Sequence, residues 1–530
     1  MKITFIKYAT IFLLLVVSLA GCENLEDTYS DYRGDGPERY LSAIYDLKGN
    51  PQWKSVLLTW NLKPDPGRTA IMVKWTKDKQ SDSVLIDKES TSYLVEELIN
   101  YEYEFSVNAV EEVDGKVTKR SLGDPVNVCP YTNESEEVML FGRMVNKQFN
   151  VADKQLFVSF DEWVDGLIEL KIGYFEKGDA TEKFWSCKSD EVENRLPKGK
   201  LCGLIGEDID FSKEIKVYRK GVIKEFGDME LDLEPVVLYF DLPVFESDFA
   251  QEVRQALDLN GEIKWGDIEN VTALHINYDQ VSLVDVLLFK NLKEIYLGRE
   301  RYLATGTEDE VRSTLEPTKV ELSIEALRVA AEELGVKIYH YGKHYFDEVP
   351  DFFILKNAHS EVPALDLLNT ADWDITVEPG DALGFDSGLK NLLKDDNSYW
   401  LPQPKILLRE HVIEIDMKQE RSISGFKIVQ APDFGDKNIY RPGEVKIEVE
   451  TAPGLGVWEP VTFHEKKTLG AGKGETTIVY LNKDKGVKNA QKVRFKISDN
   501  FYKNQWNYDL NTYSNYYNVV LSTIMVINGN

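Results

Sequence analysis

Short runs of alternating apolar and polar residues recur through most of the chain, and Gly, Pro, Asn and Asp separate them. Residues 103–109 and 493–497 are examples, with an apolar side chain at every second position. Because successive side chains of a strand point to opposite faces of a sheet, this period predicts half-buried antiparallel strands. Several such strands at short spacing predict β-sandwiches, so we expect a mainly β, multidomain protein.

The segment 40–130 predicts a first sandwich. Strand patterns at 57–60 and 70–75 flank a Pro-Asp-Pro-Gly turn. This arrangement resembles fibronectin type III domains, with Trp60 in the place of the core tryptophan and Tyr103 in that of the corner tyrosine. The resemblance implies that both rings belong to the hydrophobic core and do not form a ligand platform.

The segment 136–243 predicts a second sandwich of the same kind. Its apolar runs at 156–160, 167–174 and 215–218 follow the order of the strand patterns in the first segment. The two segments share little identity, but the order of their elements is the same. We therefore predict two fibronectin-III-like β-sandwiches in tandem.

In residues 245–357 the spacing of apolar residues differs from that of the two sandwich segments. Strand patterns at 271–276 and 292–298 alternate with helical spacing, and 323–334 predicts a helix that Ser323 caps and Gly335 ends. The second strand pattern resembles a fragment of a leucine-rich repeat, but there are fewer copies than a solenoid needs. We predict a small α/β, leucine-rich-repeat-like module.

Residues 371–530 resemble the F5/8 type C domain, which is also called discoidin-like or galactose-binding-like. Four motifs of that family occur in order: an opening Trp373, Asn-Leu-Leu-Lys-Asp-Asp-Asn-Ser-Tyr-Trp at 391–400, alternating runs at 412–416 and 423–428, and Val-Arg-Phe at 493–495. The resemblance implies a C-terminal jelly-roll β-sandwich in which Trp373 and Trp400 pack in the core. The aromatic segment 501–517 does not align with the family pattern.

Residues 1–21 have the features of a signal peptide, because two lysines precede an apolar run too short to span a bilayer. The sequence Leu-Ala-Gly-Cys that ends at Cys22 resembles the lipobox of bacterial lipoproteins. This implies cleavage before Cys22 and lipidation of that residue; an ordinary secretory signal is the alternative. Residues 22–39 predict a flexible acidic tether, which resembles a surface-export signal and implies an outer-membrane lipoprotein exposed on the cell surface.

Charge narrows the possible partners. The chain carries a formal net charge of −28 at pH 7, and such a surface repels phosphate backbones and anionic lipid head groups. Nucleic acid is therefore excluded as a partner, and contact with the membrane is expected through the lipid anchor. Neutral glycans are compatible with this charge.

Cysteine and histidine are sparse. Apart from the predicted lipidation site, the chain has Cys129, Cys187 and Cys202. A Cys187–Cys202 bridge and two buried free thiols both remain open. His340 and His344 lie four residues apart, which is the spacing of a helical metal site, but the surrounding strand pattern favours two ordinary surface or turn histidines. No nucleophile–base arrangement stands out, so we expect no enzyme activity.

The C-terminal segment contains side chains of the types that bind sugars. Sugar C–H faces stack on aromatic rings, whereas sugar hydroxyls bond to amides, carboxylates and guanidinium groups. The candidate ligand-binding residues lie in predicted loops and are Tyr440, Arg441, Trp506, Tyr502, Tyr508, Asp433 and Asn438. The candidate ligands of a structural Ca²⁺ ion are Asn391, Asp395 and Asn397.

Together these features resemble the surface glycan-binding lipoproteins of polysaccharide-utilisation systems. The resemblance implies non-catalytic carbohydrate binding that captures oligo- or polysaccharide for uptake. It also implies an outer-membrane importer and surface glycosidases of the same system as partners. Two alternatives remain open: a glycoside hydrolase or peptidase that carries the C-terminal domain as an accessory, and an adhesion lipoprotein that binds a host protein.

Overall fold

The computed structural model describes residues 40–529 except 137, 140–143, 198, 224–228, 258, 260, 305, 308–310, 357–359, 381–384, 433–439, 463–465 and 482–486. The predicted signal peptide, Cys22 and the tether lie outside the described residues. The chain divides into two compact units, one containing the first sandwich and the other containing the second sandwich, the α/β module and the C-terminal domain.

The first sandwich pairs a three-stranded and a five-stranded antiparallel sheet. Its strands are β1 (Tyr45–Gln52), β2 (Ser55–Asn61), β3 (Ala70–Lys77), β4 (Gln80–Asp87), β5 (Ser92–Val95), β6 (Tyr103–Val113), β7 (Lys116–Arg120) and β8 (Val126–Val128). The sheet orders are β1-β2-β5 and β4-β3-β6-β7, with β8 beside β6. Trp60 is buried between the layers, and the Tyr103 hydroxyl accepts a hydrogen bond from the Ile99 N–H at 3.3 Å. Both rings therefore have the core positions predicted for them.

The second sandwich repeats this topology. It consists of β9 (Val145–Val151), β10 (Gln155–Phe160), β11 (Leu167–Tyr174), β12 (Lys183–Lys188), α1 (Val192–Arg195), β13 (Cys202–Ile205), β14 (Ile215–Ile223), β15 (Met229–Asp232) and β16 (Val236–Leu238). The sheet orders are β9-β10-β13 and β12-β11-β14-β15, with β16 beside β14. The same strand order in both sandwiches shows that they share one architecture.

The α/β module is built on a parallel sheet in the order β17-β18-β19-β20. Its elements are α2 (Ser247–Leu257), α3 (Trp265–Ile268), β17 (Ala273–Ile276), β18 (Glu294–Leu297), α4 (Val320–Glu332), β19 (Lys337–His340) and β20 (Ile354–Leu355), with 3₁₀ turns at Val284–Leu288 and Pro317–Lys319. Helix α4 begins before the predicted cap: Ser323 is buried inside it and donates its hydroxyl to the Lys319 carbonyl at 2.8 Å.

The module and the second sandwich share one hydrophobic core. Phe149, Val151 and Phe157 of the sandwich belong to the same buried cluster as the apolar face of the parallel sheet. At its edge the Lys147 ammonium lies 2.6 Å from the Asp285 carboxylate. Burial raises the pKa of Asp285 to about 6, although Lys147 opposes that shift. The two domains are therefore joined by packing as well as by the chain.

The C-terminal domain is a β-sandwich. It contains β21 (Asp374–Glu378), a 3₁₀ helix (Phe385–Leu393), β22 (Glu410–Val429), β23 (Glu444–Ala452), β24 (Val457–Pro460), β25 (Lys467–Thr468), β26 (Thr476–Tyr480), β27 (Lys488–Ser498), β28 (Asn500–Asn507), β29 (Thr512–Asn518) and β30 (Thr523–Asn528). Strand β22 has a bulge near Lys418, whose φ is 64°. Its first half pairs with β21, and its second half pairs with β26 and β30. Trp373 and Trp400 are buried in the core, as predicted.

A buried ion pair joins the module to the C-terminal domain. The Arg301 guanidinium donates from Nε and Nη2 to the two carboxylate oxygens of Glu475, the second contact being 3.0 Å. Both side chains are buried. Beside this pair the Thr476 N–H donates to the Tyr302 carbonyl at 3.0 Å. The segment that ends at Glu475 and Thr476 therefore forms a contact between domains.

The mainly β, multidomain fold class is confirmed, one residue-level expectation changes, and one of the two alternatives for the cysteines is selected. His340 and His344 are both buried, so the expected surface position is wrong, whereas His344 does follow the turn at 342–343. Cys187 and Cys202 are buried free thiols, and Cys129 is exposed. In the described part of the chain, every helix is too short or too polar to cross a membrane.

Candidate functional site

The aromatic segment at 501–517 is a β-hairpin and not the loop expected from the sequence. Strands β28 and β29 form a two-stranded sheet, and Tyr517 of β29 also bridges Lys405 through two backbone hydrogen bonds of 3.0 and 2.7 Å. Their register places Trp506 opposite Tyr513 and Asn504 opposite Asn515. Because residues two apart in a strand share a face, these four side chains lie on the same side of the hairpin. We refer to Asn504, Trp506, Tyr513 and Asn515 as the hairpin face.

The hairpin face is open to solvent. Trp506 is 38% exposed and Tyr513 is 67% exposed. The two rings meet edge to face, with centroids 5.4 Å apart at an interplanar angle of 82°. Next to them the Asn504 side-chain amide donates to the Asn515 amide oxygen at 2.8 Å. Two water-exposed rings beside two amides match the C–H faces and the hydroxyls of a sugar.

Two further predicted ligand residues lie on the same hairpin. Tyr508 follows β28 in the turn and is 88% exposed. Tyr502 is partly buried near the base, where the Lys503 ammonium lies 4.6 Å from its ring centroid. The sequence prediction included Trp506 as a ligand residue and Tyr513 among the other aromatic residues of this segment, but it missed the paired asparagines. The sequence pattern that marks this face is an asparagine and an aromatic residue two positions apart. It occurs as Asn504 and Trp506 in the first strand and as Tyr513 and Asn515 in the second.

Tyr440 and Arg441 lie at the other end of the hairpin. Tyr440 packs against the sandwich core, and its carbonyl accepts a hydrogen bond from the Val520 N–H, just beyond β29. The hairpin base is the pair Asn500–Asn518. Trp506 is six strand residues beyond it, a distance of about 20 Å. The structure therefore does not bring Tyr440 and Trp506 together.

The Arg441 guanidinium has backbone partners. Its Nε donates to the Ala431 carbonyl at 2.7 Å, and its Nη2 donates to the Pro432 carbonyl at 3.1 Å. These bonds hold the start of the segment that contains Asp433 and Asn438, and both of those candidates lie outside the described residues. Arg441 as a sugar ligand stays a prediction.

The candidate calcium loop has lysine partners. The Asn391 amide oxygen accepts a hydrogen bond from the Lys394 ammonium at 3.0 Å, and the Asp395 carboxylate lies 2.7 Å from the Lys427 ammonium. Asn397 has a left-handed backbone with φ 63°. Calcium needs six to eight oxygens free of competing cations, so these contacts do not fit a calcium cage. Within the described ranges, no group of three His, Cys, Asp or Glu side chains is placed to hold a metal.

Comparison with known proteins gives partial matches. The family model DUF4998, described as a domain of unknown function, matches residues 22–200. No curated protein matches the chain.

Several solved structures resemble parts of the chain. An F5/8 type C domain from Bacteroides fragilis is 12% identical, with 31% of this chain and 97% of that chain covered and a TM-score of 0.23. The family 32 carbohydrate-binding module of Clostridium perfringens NanJ, solved with galactose, is 10% identical, with 31% and 98% covered and a TM-score of 0.22. A segment of two fibronectin type III domains from chicken tenascin is 13% identical, with 37% and 98% covered and a TM-score of 0.18.

Proposed function

We propose that this protein is a non-catalytic glycan-binding lipoprotein of the cell surface, which captures oligo- or polysaccharide for uptake. The observation that carries the proposal is the hairpin face. Trp506 and Tyr513 are exposed to solvent. The backbone hydrogen bonds between their two strands fix the position of each residue relative to the other. Exposure of large aromatic rings to water is unfavourable in free energy. A ligand that covers the rings would explain why they are on the surface.

The chemistry of the hairpin face favours a sugar over a peptide or a nucleic acid. The rings offer apolar surface for sugar C–H groups, and the two amides offer donors and acceptors for hydroxyls. The net charge of −28 opposes polyanions. An exposed face buries little of a hydrated sugar, so we expect dissociation constants on the order of 10–1000 µM for each site.

Sequence patterns support the rest of the proposal. The lipobox-like residues before Cys22 and the acidic tether favour an outer-membrane anchor and surface display. An importer and surface glycosidases would then be the partners that receive the captured glycan. We expect this lipoprotein to hold the polymer and leave its glycosidic bonds intact.

A glycan array with residues 23–530 tests the proposal. Trp506→Ala and Tyr513→Ala should each weaken binding about tenfold or more, because each removes a ring on which a sugar stacks. Tyr239→Ala is the matched control, since Tyr239 is exposed but follows β16 of the second sandwich and is not part of the hairpin. Unchanged binding in both hairpin variants would overturn the assignment.

The same samples separate capture from hydrolysis. Depletion of a polysaccharide without new reducing ends supports a binding protein. New reducing ends from the purified chain would instead identify a glycoside hydrolase. Binding to a host protein with no glycan on the array would favour an adhesion lipoprotein.

A further inference from the structure

A crevice of about 470 Å³ lies between the α/β module and the C-terminal domain. Helix α2, the end of β17, the residues after β18, and strand β26 contribute to its walls. The Arg301–Glu475 ion pair and the backbone bond from Thr476 to Tyr302 lie beside it and fix the two domains to each other. The crevice is therefore held open by buried contacts within one compact unit.

One wall of the crevice is the end of an aromatic row. In the parallel sheet, His275, Tyr296 and Tyr339 occupy the same level of adjacent strands. Their rings stack, with centroid separations of 4.7 and 4.9 Å. His275 ends the row and lines the crevice, where its Nδ1 lies 3.1 Å from the Glu300 carboxylate. Packing against Tyr296 holds this imidazole in place.

The crevice also contains charged groups without direct ionic partners. The Glu252 carboxyl has no hydrogen bond or ion pair to the side chain of any described residue, and burial raises its pKa to about 7 against the opposing charge of Lys467. The Lys467 ammonium donates to the Gln255 amide oxygen at 3.0 Å. In the part of the chain that the structure describes, Lys467 acts on Glu252 and Glu300 through charge alone, without an ion pair within 4.0 Å. Burial lowers the pKa of Lys467, and Glu252 and Glu300 oppose that shift.

A partly buried carboxyl and a partly buried ammonium that do not form an ion pair with each other are best satisfied by partners that both donate and accept hydrogen bonds. Hydroxyl groups do both. A free anion would meet Glu252 and Glu300, whereas a free cation would meet Lys467. The mixture of rings, opposite charges and amides therefore fits a neutral, hydroxyl-rich molecule, and the volume is in the range of small-molecule sites.

We propose that this crevice is a second saccharide site, which takes a neutral di- or trisaccharide and is separate from the hairpin face. Glu252 and Glu300 accept hydrogen bonds from sugar hydroxyls, Lys467 donates to them, and His275 provides a ring wall. A polymer bound at both sites gains avidity without new contacts at either one.

The test uses residues 23–530 with maltose, cellobiose, lactose, chitobiose and mannobiose as probes. Binding is measured by saturation-transfer NMR and titration calorimetry, and hydrogen–deuterium exchange locates it. The double variant Trp506→Ala/Tyr513→Ala should retain binding of at least one disaccharide, with slower exchange in β26. Adding Glu252→Gln or Lys467→Met to that variant should weaken this binding about tenfold, since each removes a charged hydrogen-bond partner. Glu361→Gln, at an exposed position, is the matched control.

The outcomes separate the two sites. If the double variant loses all binding while Glu252→Gln alone binds like the parent chain, the crevice proposal is wrong and the hairpin proposal stands. If the double variant keeps binding that Glu252→Gln and Lys467→Met both leave unchanged, the retained site is elsewhere and the crevice proposal is again wrong. Thermal unfolding of each variant shows whether it remains folded.

Discussion

His340 and His344 show how tertiary packing changes the chemistry of single residues. The Ser313 N–H donates to His344 Nδ1 at 2.9 Å, and the His344 carbonyl lies 2.7 Å from His340 Nε2. Gly298 approaches the His344 ring so closely that a Cβ at this position would be 2.3 Å from its Cδ2. Burial, together with the nearby Arg301 charge, lowers the pKa of His344 to about 3. This imidazole is a neutral part of the core.

The buried imidazole predicts a dependence of stability on pH. Between pH 6.5 and about 3 the unfolded chain binds a proton at His344 that the folded chain does not bind. The free energy of unfolding should therefore fall as the pH decreases through this window, by about 1.4 kcal/mol per pH unit for this group at most. Urea unfolding at several pH values measures the slope. His344→Asn should reduce this slope, and equal slopes in the parent chain and in His344→Asn would contradict the assignment.

At the scale of elements, two tryptophans of the C-terminal domain have opposite roles. Trp400 is fully buried and meets the His411 ring edge to face at 5.2 Å. Trp506 lies on the open side of the β28–β29 hairpin. One ring therefore stabilises the sandwich, and the other is available to a ligand.

This contrast predicts opposite effects of the same substitution. Trp400→Ala should lower the free energy of unfolding by about 3–5 kcal/mol, because it leaves a large cavity in the core. Trp506→Ala should change it by about 1 kcal/mol or less and should weaken only glycan binding. Guanidinium unfolding followed by circular dichroism measures both. A large loss of stability in Trp506→Ala would show that this ring is structural.

The accuracy of the sequence-based predictions follows from the same contrast. Strands with one buried and one solvent-exposed face, such as β6 and β27, have a clear apolar–polar period. The sequence therefore predicts these strands. On the hairpin, Asn504 and Trp506 share an exposed face, so the alternation does not separate a buried face from an exposed one, and the sequence predicts a loop. Arg301 and Glu475 are 174 residues apart, and no local pattern indicates that they meet. The crevice depends on that long-range contact and could not be predicted.

At the scale of the whole molecule, the buried pair of Arg301 and Glu475 joins two domains. Each charge is stabilised mainly by the other, so removal of one leaves an uncompensated buried charge. The Gly472 N–H also donates to the Glu475 carboxylate at 2.8 Å. The junction between the module and the C-terminal sandwich therefore depends on both partners.

A double-mutant cycle tests this junction. Arg301→Met should lower the free energy of unfolding by about 3–5 kcal/mol, and the additional change Glu475→Gln should recover part of the loss. Lys466→Met is the control, because its ion pair with Glu444 is exposed on both sides and should contribute about 1 kcal/mol or less. Calorimetry should show one transition for the two domains in the parent chain and separate transitions in Arg301→Met. Additive effects of the two substitutions would contradict a direct coupling.

The core shared by the second sandwich and the α/β module has a mechanical consequence. If the protein holds a glycan polymer as proposed, flow pulls on that polymer, and the load passes along the chain toward β9. Phe149 and Phe157 pack against the apolar side of the parallel sheet. Tension across this junction would therefore have to separate many packed side chains at once. We therefore expect the junction between the second sandwich and the α/β module to separate only at high force.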